Sequence, residues 1–364
     1  MSQQTTLVTG FPSNELATRV VSRLLEQEAS THLTLLVPER FVDHASEWLS
    51  ALPMAQRERT QLLNGDVAAL DMGLSGREYL ELAERVERIH HCAAVTYSGA
   101  PFSMAERVNV GGTFEMLELA RTAKHAPRIV HWSSISATAG KYGVVREDEL
   151  VAPRSGSLAH TRYRAEKLID KARGALPITV VRTAMLVGDS RTGRMARLDG
   201  AYLLISVLLN APRDVPLLLP AQGSAQLQVV PIDYAVDAGL AIAGAAESVG
   251  GTFHVIDRGA LTLDGALGHI AELLGKPPPR GGLAPSLAQV VLRIPGLDKL
   301  VHAQRALLDE LARDVRYDDK HAQQILAHSG LSCPSFASYV GQLVSHVERE
   351  RKSDRPSPSY AIGR

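Results

Sequence analysis

Tyr163-Arg-Ala-Glu-Lys167 sets a phenol and an ammonium four residues apart, one helical turn along a single face. A nearby ammonium favours phenolate, which suits a group that must give and take a proton near neutral pH. Upstream, the apolar run Ile129 to Trp132 ends in Ser133-Ser134. At a strand end, the Ser134 hydroxyl can donate to a substrate carbonyl oxygen while Tyr163 protonates it. Ser133 and Ser136 are alternative donors, and a polar turn is the plain structural reading of all three serines. Asn109 in NVGGT either fixes the chain behind the lysine or caps a helix.

A second set of residues suits a dinucleotide. The segment Thr9-Gly-Phe-Pro-Ser-Asn-Glu-Leu-Ala17 follows a short apolar run and opens a helical pattern. Glycines in such a turn let backbone N–H groups and a helix N-terminus approach a pyrophosphate. Only Gly10 remains of a TGxxGxxG pattern read without gaps. With one inserted residue, Asn14 takes the second glycine position and Ala17 the third. Asn tolerates a left-handed conformation best among non-glycine residues; the alternative reading makes Asn14 a helix N-cap. Phe11, Pro12 and Leu16 belong to this turn and count among the expected cofactor-binding residues. After the second strand, Glu39 suits a ribose hydroxyl and Arg40 a 2′-phosphate, which it can grip bidentately. NADP is therefore the expected cofactor, with NAD the alternative. Asp66 in NGDV, followed by Val67, can accept from an adenine amine or close an Asx turn.

These residues need a scaffold that brings strand ends together. Short apolar runs at Thr6 to Thr9, His32 to Val37, Ile89 to Ala94, Ile129 to Trp132 and Ile178 to Val181 alternate with helical patterns. Those helices include Leu16, Val20, Val21, Leu24 and Leu25 on one face, Thr113 to Ala123, and Leu168 to Ala172. Strands alternating with helices predict an α/β fold, a Rossmann-like doubly wound parallel sheet with ligands outside the carboxyl ends. Beyond Arg182 the pattern loosens, with further strands at Leu227 to Val230 and Thr252 to Ile256 and mostly helical sequence over 261–350. The domains expected are a dinucleotide-binding unit over 1–182, with a returning segment near 225–258, and a smaller, mostly helical lobe over 183–224 and 259–350. The polar 351–364 tail is expected to be disordered.

Composition narrows the function classes. The 364 residues carry 39 Lys+Arg and 39 Asp+Glu, leaving no basic footprint for nucleic acid. Two cysteines, Cys92 and Cys333, make neither a disulfide framework nor a Cys-rich zinc site. Cys92 reads as mid-strand core. His90 and His91 are adjacent and so point to opposite faces of a strand; no metal site is expected. The start runs at once into a strand pattern, leaving no room for a signal peptide. AYLLISVLLNA from Ala201 is shorter than the ~18 residues of a membrane span. A cytoplasmic protein without an integral membrane segment is expected.

With these segments in hand, the chain resembles an extended short-chain dehydrogenase/reductase over roughly residues 5–350. Within that superfamily it is similar to the thioester-reductase-like branch, related to fatty acyl-CoA reductases. The resemblance rests on NGDVAALDMGLS from Asn64, HCAAVTYSGA from His91, NVGGTFEMLELA from Asn109 and VHWSSISATAG from Val130. It continues through YRAEK from Tyr163, VVRTAMLVGDSRTG from Val180 and VVPIDYAVDA from Val229, with GDSRTG the most branch-specific. It implies a nicotinamide cofactor held at Gly10, Asn14, Arg40, Asp66, Ala93 and Ala94. It also implies a Ser134–Tyr163–Lys167 catalytic set, with Lys167 holding the nicotinamide ribose as well. The chain departs from the family at the substituted glycine loop and at Thr183, where the family has proline.

The expected function is NAD(P)H-dependent reduction of a hydrophobic carbonyl or of a carrier- or CoA-bound acyl thioester. The apolar stretches Tyr202 to Leu209 and Pro216 to Pro220 suit a lipid-like substrate. The rivals are a sugar-nucleotide epimerase or dehydratase, a hydroxysteroid-type dehydrogenase, and a non-catalytic binding protein with a degraded loop. Leu283–Val315 reads as core packing, with a lid or partner surface the alternative.

Overall fold

The computed structural model describes residues 5–97, 99–153, 158–210, 218–219, 225–278, 280–281 and 315–352. Its strands in chain order are β1 (Thr5–Thr9), β2 (Leu33–Val37), β3 (Thr60–Asn64), β4 (Val86–His91), β5 (Arg128–Ser134), β6 (Gly143–Val145) and β7 (Ile178–Thr183). They continue with β8 (Met185–Val187), β9 (Leu218–Leu219), β10 (Val229–Pro231), β11 (Thr252–Val255), β12 (Arg280–Gly281) and β13 (Val315–Tyr317).

Seven of these form one sheet in the order β11-β7-β5-β4-β1-β2-β3, and every pairing is parallel. β1 and β2 are buried along their whole length, as strands covered on both faces must be. Alternate residues feed opposite layers. Val8 and Leu35 pack with the helices Glu15–Gln27 and Ile232–Gly244, whereas Leu7 and Leu36 pack with Gly76–Arg85, Gly112–Thr122 and Leu158–Ala172. The chain leaves β1 towards β2 and β3, then crosses to β4 on its other side. This reversal opens a crevice at the carboxyl ends of β1 and β4, where such sheets bind ligands.

A separate core gathers Val187, Tyr202, Leu227 and Val229 with the helices Leu263–Leu273 and Phe336–Lys352. The strand expected at Leu227 to Val230 lies at Val229–Pro231. It pairs with β8 outside the main sheet, whereas β11 joins that sheet. β4 ends at His91, three residues earlier than the apolar run suggested. Cys92 therefore follows the strand rather than lying within it, and is still buried. Most of the apolar run Pro216 to Pro220, the segment 283–314 and the tail 353–364 lie outside the described residues. Among the described residues, no helix is long and apolar enough to cross a membrane, and no cluster of His, Cys, Asp or Glu suits a metal.

Candidate active site

Gly10 stands at the end of β1 with φ +91°. A Cβ there would lie 2.8 Å from the Ala93 nitrogen and 2.9 Å from the Ala93 Cα. The glycine therefore lets the first turn press against the backbone that follows β4. Asn14 departs from the expected left-handed conformation. It is extended, with φ −110°, and its Oδ1 accepts from the Leu16 N–H at 3.0 Å, the N-cap arrangement. Its Nδ2 donates to the Cys92 carbonyl at 2.7 Å, so one side chain fixes both the helix start and the β4 exit. The capping bond, needing only an extended backbone, removes any call for positive φ. Phe11 is buried against Trp48, with ring centroids 4.9 Å apart, and Pro12 and Leu16 are buried too. The side chains of Phe11 and Leu16 belong to the core. Pro12 has no N–H to offer, which leaves this turn fewer donors than a three-glycine loop.

The ends of β2 and β3 line a cleft of about 420 Å³ with Pro38, Glu39, Arg40, Asn64, Asp66 and Gly73. The Arg40 guanidinium lies 3.5 Å from the Asp66 carboxylate and 5.0 Å from the Phe41 ring centroid. Glu39 accepts from the Asn64 amide. Asp66 Oδ1 accepts from the Ala68 N–H at 2.9 Å, closing the Asx turn and leaving Oδ2 towards Arg40. Val67 is buried and meets Gly112, where an added Cβ would come within 2.9 Å of Val67 Cγ2. Ala93 is buried and its N–H donates to Thr9 Oγ1 at 3.3 Å; Ala94 is half-buried. Gly10 at the sheet reversal and an arginine-bearing cleft at the next two strand ends fit a dinucleotide with an adenosine-side phosphate.

Tyr163 and Lys167 share the helix Leu158–Ala172. Tyr163 is half-buried beside His160, with ring centroids 6.1 Å apart, and Lys167 is exposed. The three candidate serines have different partners. Ser133 Oγ donates to Glu166 Oε1 at 2.5 Å, and Ser136 Oγ accepts from Arg162 at 2.9 Å. Ser134 Oγ accepts from the Ser136 N–H at 3.2 Å, which leaves its own hydrogen to point elsewhere. Arg162 and Glu166 adjoin Tyr163 and Lys167 in sequence. Two bonds therefore clamp the turn around Ser134 to the helix segment that carries the phenol and the ammonium.

A buried polar network supports this clamp, and no motif in the sequence announces it. Arg182 on β7 reaches Glu166 through Nη2 at 2.7 Å and Nε at 2.9 Å, and both side chains are 2% exposed. Its Nη1 donates to the carbonyls of Glu147 and Glu149 at 3.2 and 2.8 Å. The Glu147 carboxylate accepts from the N–H groups of His254, His321 and Ala322. Burial pushes the Glu147 carboxyl up against those bonds. Asn109, also buried, accepts from the Val95 N–H at 2.7 Å and donates to Thr161 Oγ1 at 2.8 Å. It ties the loop after β4 to the tyrosine helix. Thr183, at the end of β7, is buried and directs Oγ1 to the Ser133 carbonyl at 3.4 Å.

The sheet's interior histidines are uncharged. Burial drives His90 and His131 down to about 3 and His254 to about 4, and lowers His91 as well. His91 stacks on His131 at 5.5 Å and shares a hydrogen with Thr9 Oγ1 at 2.9 Å.

Residues 8–239 match the sequence profile of the NAD-binding family described as Male sterility protein. The chain belongs to that family, one of NAD(P)-dependent oxidoreductases of the extended short-chain dehydrogenase/reductase type, and is thioester-reductase-like within it. A linear gramicidin synthase of Brevibacillus parabrevis is 27% identical over 221 residues, which cover 58% of this chain and 4% of that protein. A carboxylic acid reductase of Segniliparus rugosus is 27% identical over 197 residues, covering 49% of this chain and 16% of that one. This chain therefore corresponds to a small part of the curated relatives it matches. Among solved structures, the terminal R domain of the myxalamid PKS-NRPS pathway superposes with a TM-score of 0.81 at 24% identity, covering 96% of this chain and 92% of that one. At that identity the superposition speaks for the fold.

Proposed function

We propose that this reductase acts on an acyl thioester or another hydrophobic carbonyl, with Ser134, Tyr163 and Lys167 as its catalytic residues. The observation that carries the reading is the pair of bonds, Ser133–Glu166 and Ser136–Arg162, that brackets Ser134 against the Tyr163–Lys167 segment. The relative named a carboxylic acid reductase supports a substrate reduced at the acyl carbon.

Gly10, Asn14, Ala93 and Ala94 would hold the dinucleotide at the sheet reversal, and Arg40 with Asp66 its adenosine end. Arg40 favours NADP over NAD because a guanidinium matches phosphate geometry. When bound, the cofactor supplies hydride. The protein's residues handle the oxygen and its proton. Ser134 donates a hydrogen bond to the carbonyl oxygen, withdrawing electron density from the carbon. Tyr163 delivers a proton to that oxygen as negative charge builds on it. Lys167, one turn along, would stabilise the resulting phenolate and would help to hold the cofactor's ribose. A thioester would take hydride and a proton to give a hemithioacetal, whose C–S bond then breaks to give an aldehyde and the free thiol.

The test is NADPH oxidation at 340 nm with octanoyl-coenzyme A and with octanal. Wild-type protein oxidises NADPH stoichiometrically with product, and Tyr163→Phe loses at least about 100-fold in kcat, the scale of one acid–base group. Full turnover by Tyr163→Phe rejects the mechanism. Substrate conversion without net NADPH consumption assigns the site to an epimerase instead.

A further inference from the structure

Glu147 has no part in the mechanism above, and neither it nor the stretch 315–322 belongs to the segments that carry the family resemblance. Yet it joins two distant parts of the chain. Glu147 is 2% exposed, and its carboxylate accepts from three backbone N–H groups. One is that of His254 on β11, at 2.9 Å. The others are those of His321 and Ala322, at 2.7 and 3.0 Å, in the first turn of the helix Lys320–Leu326. A helix start leaves such donors without an intrahelical partner. Asp319, the N-cap residue here, makes no capping bond with its own side chain, so Glu147 supplies the cap from another part of the fold.

The stretch 315–322 reaches the catalytic turn by two routes. The first is the backbone around Glu147. β13 pairs with β6 just before it, and the Asp318 N–H donates to the Val145 carbonyl at 2.9 Å. The Glu147 and Glu149 carbonyls then accept from Arg182 Nη1 at 3.2 and 2.8 Å. The second route is the His254 ring, with Nδ1 2.7 Å from the Asp318 carbonyl and Nε2 3.3 Å from Arg182 Nη1. A carbonyl only accepts and a guanidinium only donates, so the ring carries its hydrogen on Nδ1 and turns a lone pair to Arg182. Both routes end on Arg182. Its other edge holds Glu166, and Glu166 holds Ser133, the residue before Ser134. Arg182 is 2% exposed, so a donor that loses an acceptor there has no water to turn to, and the fork must shift.

We infer that Glu147 is a positioning residue of the reductase: by seating the stretch 315–322 it holds Arg182 and Glu166 in the arrangement that aims Ser134. This role rests on the catalytic reading of Ser134 above. No bond forms or breaks at Glu147. It sets how often the Ser134 hydroxyl faces the substrate oxygen, so turnover depends on the docking of a segment outside the seven-stranded sheet.

Steady-state kinetics of the full chain with NADPH and octanal or octanoyl-coenzyme A test it. Glu147→Gln keeps the volume but leaves one acceptor oxygen for three donors, and His254→Phe keeps a ring while cutting the second route. Each is expected to lower kcat about three- to tenfold, the worth of one hydrogen bond, with KM for substrate and NADPH within about twofold of wild type. Ser133→Ala cuts the last link to the turn, and in that background neither substitution should lower kcat further. Hydrogen exchange followed by mass spectrometry reads the turn without turnover. The peptide 133–139, in which the Ser136 N–H donates to Ser134 Oγ at 3.2 Å, should exchange faster in both variants while β1 and β2 keep wild-type rates. Wild-type kcat in Glu147→Gln, a rise in KM alone, or an equal further loss in the Ser133→Ala background overturns the inference. So does exchange that quickens alike throughout the sheet, which makes Glu147 a structural cap. If Glu147→Gln does not fold, His254→Phe carries the same comparisons, and wild-type kcat there overturns it. If the wild-type chain reduces neither substrate, the proposed function fails, and exchange at 133–139 still decides whether Glu147 holds the turn.

Discussion

Glu166→Gln removes the charge from the centre of the buried network and changes almost nothing in volume. The lost carboxylate accepts from Arg182 Nε at 3.1 and 2.9 Å, from Nη2 at 2.7 Å and from Ser133 Oγ at 2.5 Å. Gln keeps one acceptor oxygen but turns an amide N–H towards the guanidinium in place of the other, and with both side chains 2% exposed water does not compensate. Arg182 keeps its bonds to the Glu147 and Glu149 carbonyls, but its positive charge stays buried without a counter-ion. Breaking one side of a buried pair costs about 3–5 kcal/mol. At about 2–4 °C per kcal/mol, the melting temperature falls by roughly 6–20 °C. Guanidinium titration followed by tryptophan fluorescence measures the loss, and the pair Glu166→Gln/Arg182→Met completes a double-mutant cycle. Removing both charges should cost less than the sum of the single changes by at least about 1 kcal/mol, because the orphaned cation is gone. A single variant within about 1 kcal/mol of wild type, or strict additivity in the cycle, would refute the reasoning.

Arg40→Ser is expected to raise the dissociation constant for NADP about tenfold while leaving that for NAD within twofold, measured by fluorescence titration; equal shifts for both would remove Arg40 from phosphate recognition. Gly10→Ala combines a positive φ with a contact below 3 Å to the Ala93 backbone, and should lose at least about 2 kcal/mol in chemical denaturation. His90 and His131, held near 3, and His254, held near 4, each gain a proton on unfolding, since the free imidazole value is 6.5. Their folded values are depressed, so stability is complete above pH 6.5 and is lost as pH falls, down to about 4 for His254 and about 3 for His90 and His131. At pH 5 each group costs about 2 kcal/mol, and denaturation midpoints at pH 7.5 and 5 should differ accordingly; a flat profile would contradict neutral burial. Asn109→Ala should cost about 1–3 kcal/mol by leaving the Val95 N–H and Thr161 hydroxyl without their partner, seen as a lower thermal midpoint.

Local pattern was enough to read the parallel sheet and its flanking helices. A strand covered on both faces must be apolar throughout, and a helix must show its buried side every three or four residues. Hence β1, β2, β5 and β7, and the face of Leu16, Val20, Val21, Leu24 and Leu25, could be read from residue order. The spacing of Tyr163 and Lys167 is local in the same sense, because one helical turn fixes it. Asn14 shows where that legibility stops. Its substitution for a glycine suggests an unusual backbone, but the preference is met by a bond to Leu16 and a second to Cys92, 78 residues away. Arg182 shows it again. A charge in an apolar strand signals a buried partner, yet nothing in the order of residues says that the partner is Glu166 or that Ser133 shares it. That Ser133 spends its hydroxyl hydrogen on Glu166, whereas Ser134 and Ser136 accept and keep theirs, was likewise decided by the packing of a helix on a turn. Residue order determined the elements, because their periodicity is short-range. Only the tertiary structure decided the pairings of charges and donors, because burial removes water and forces each polar group to find its partner wherever the fold brings one.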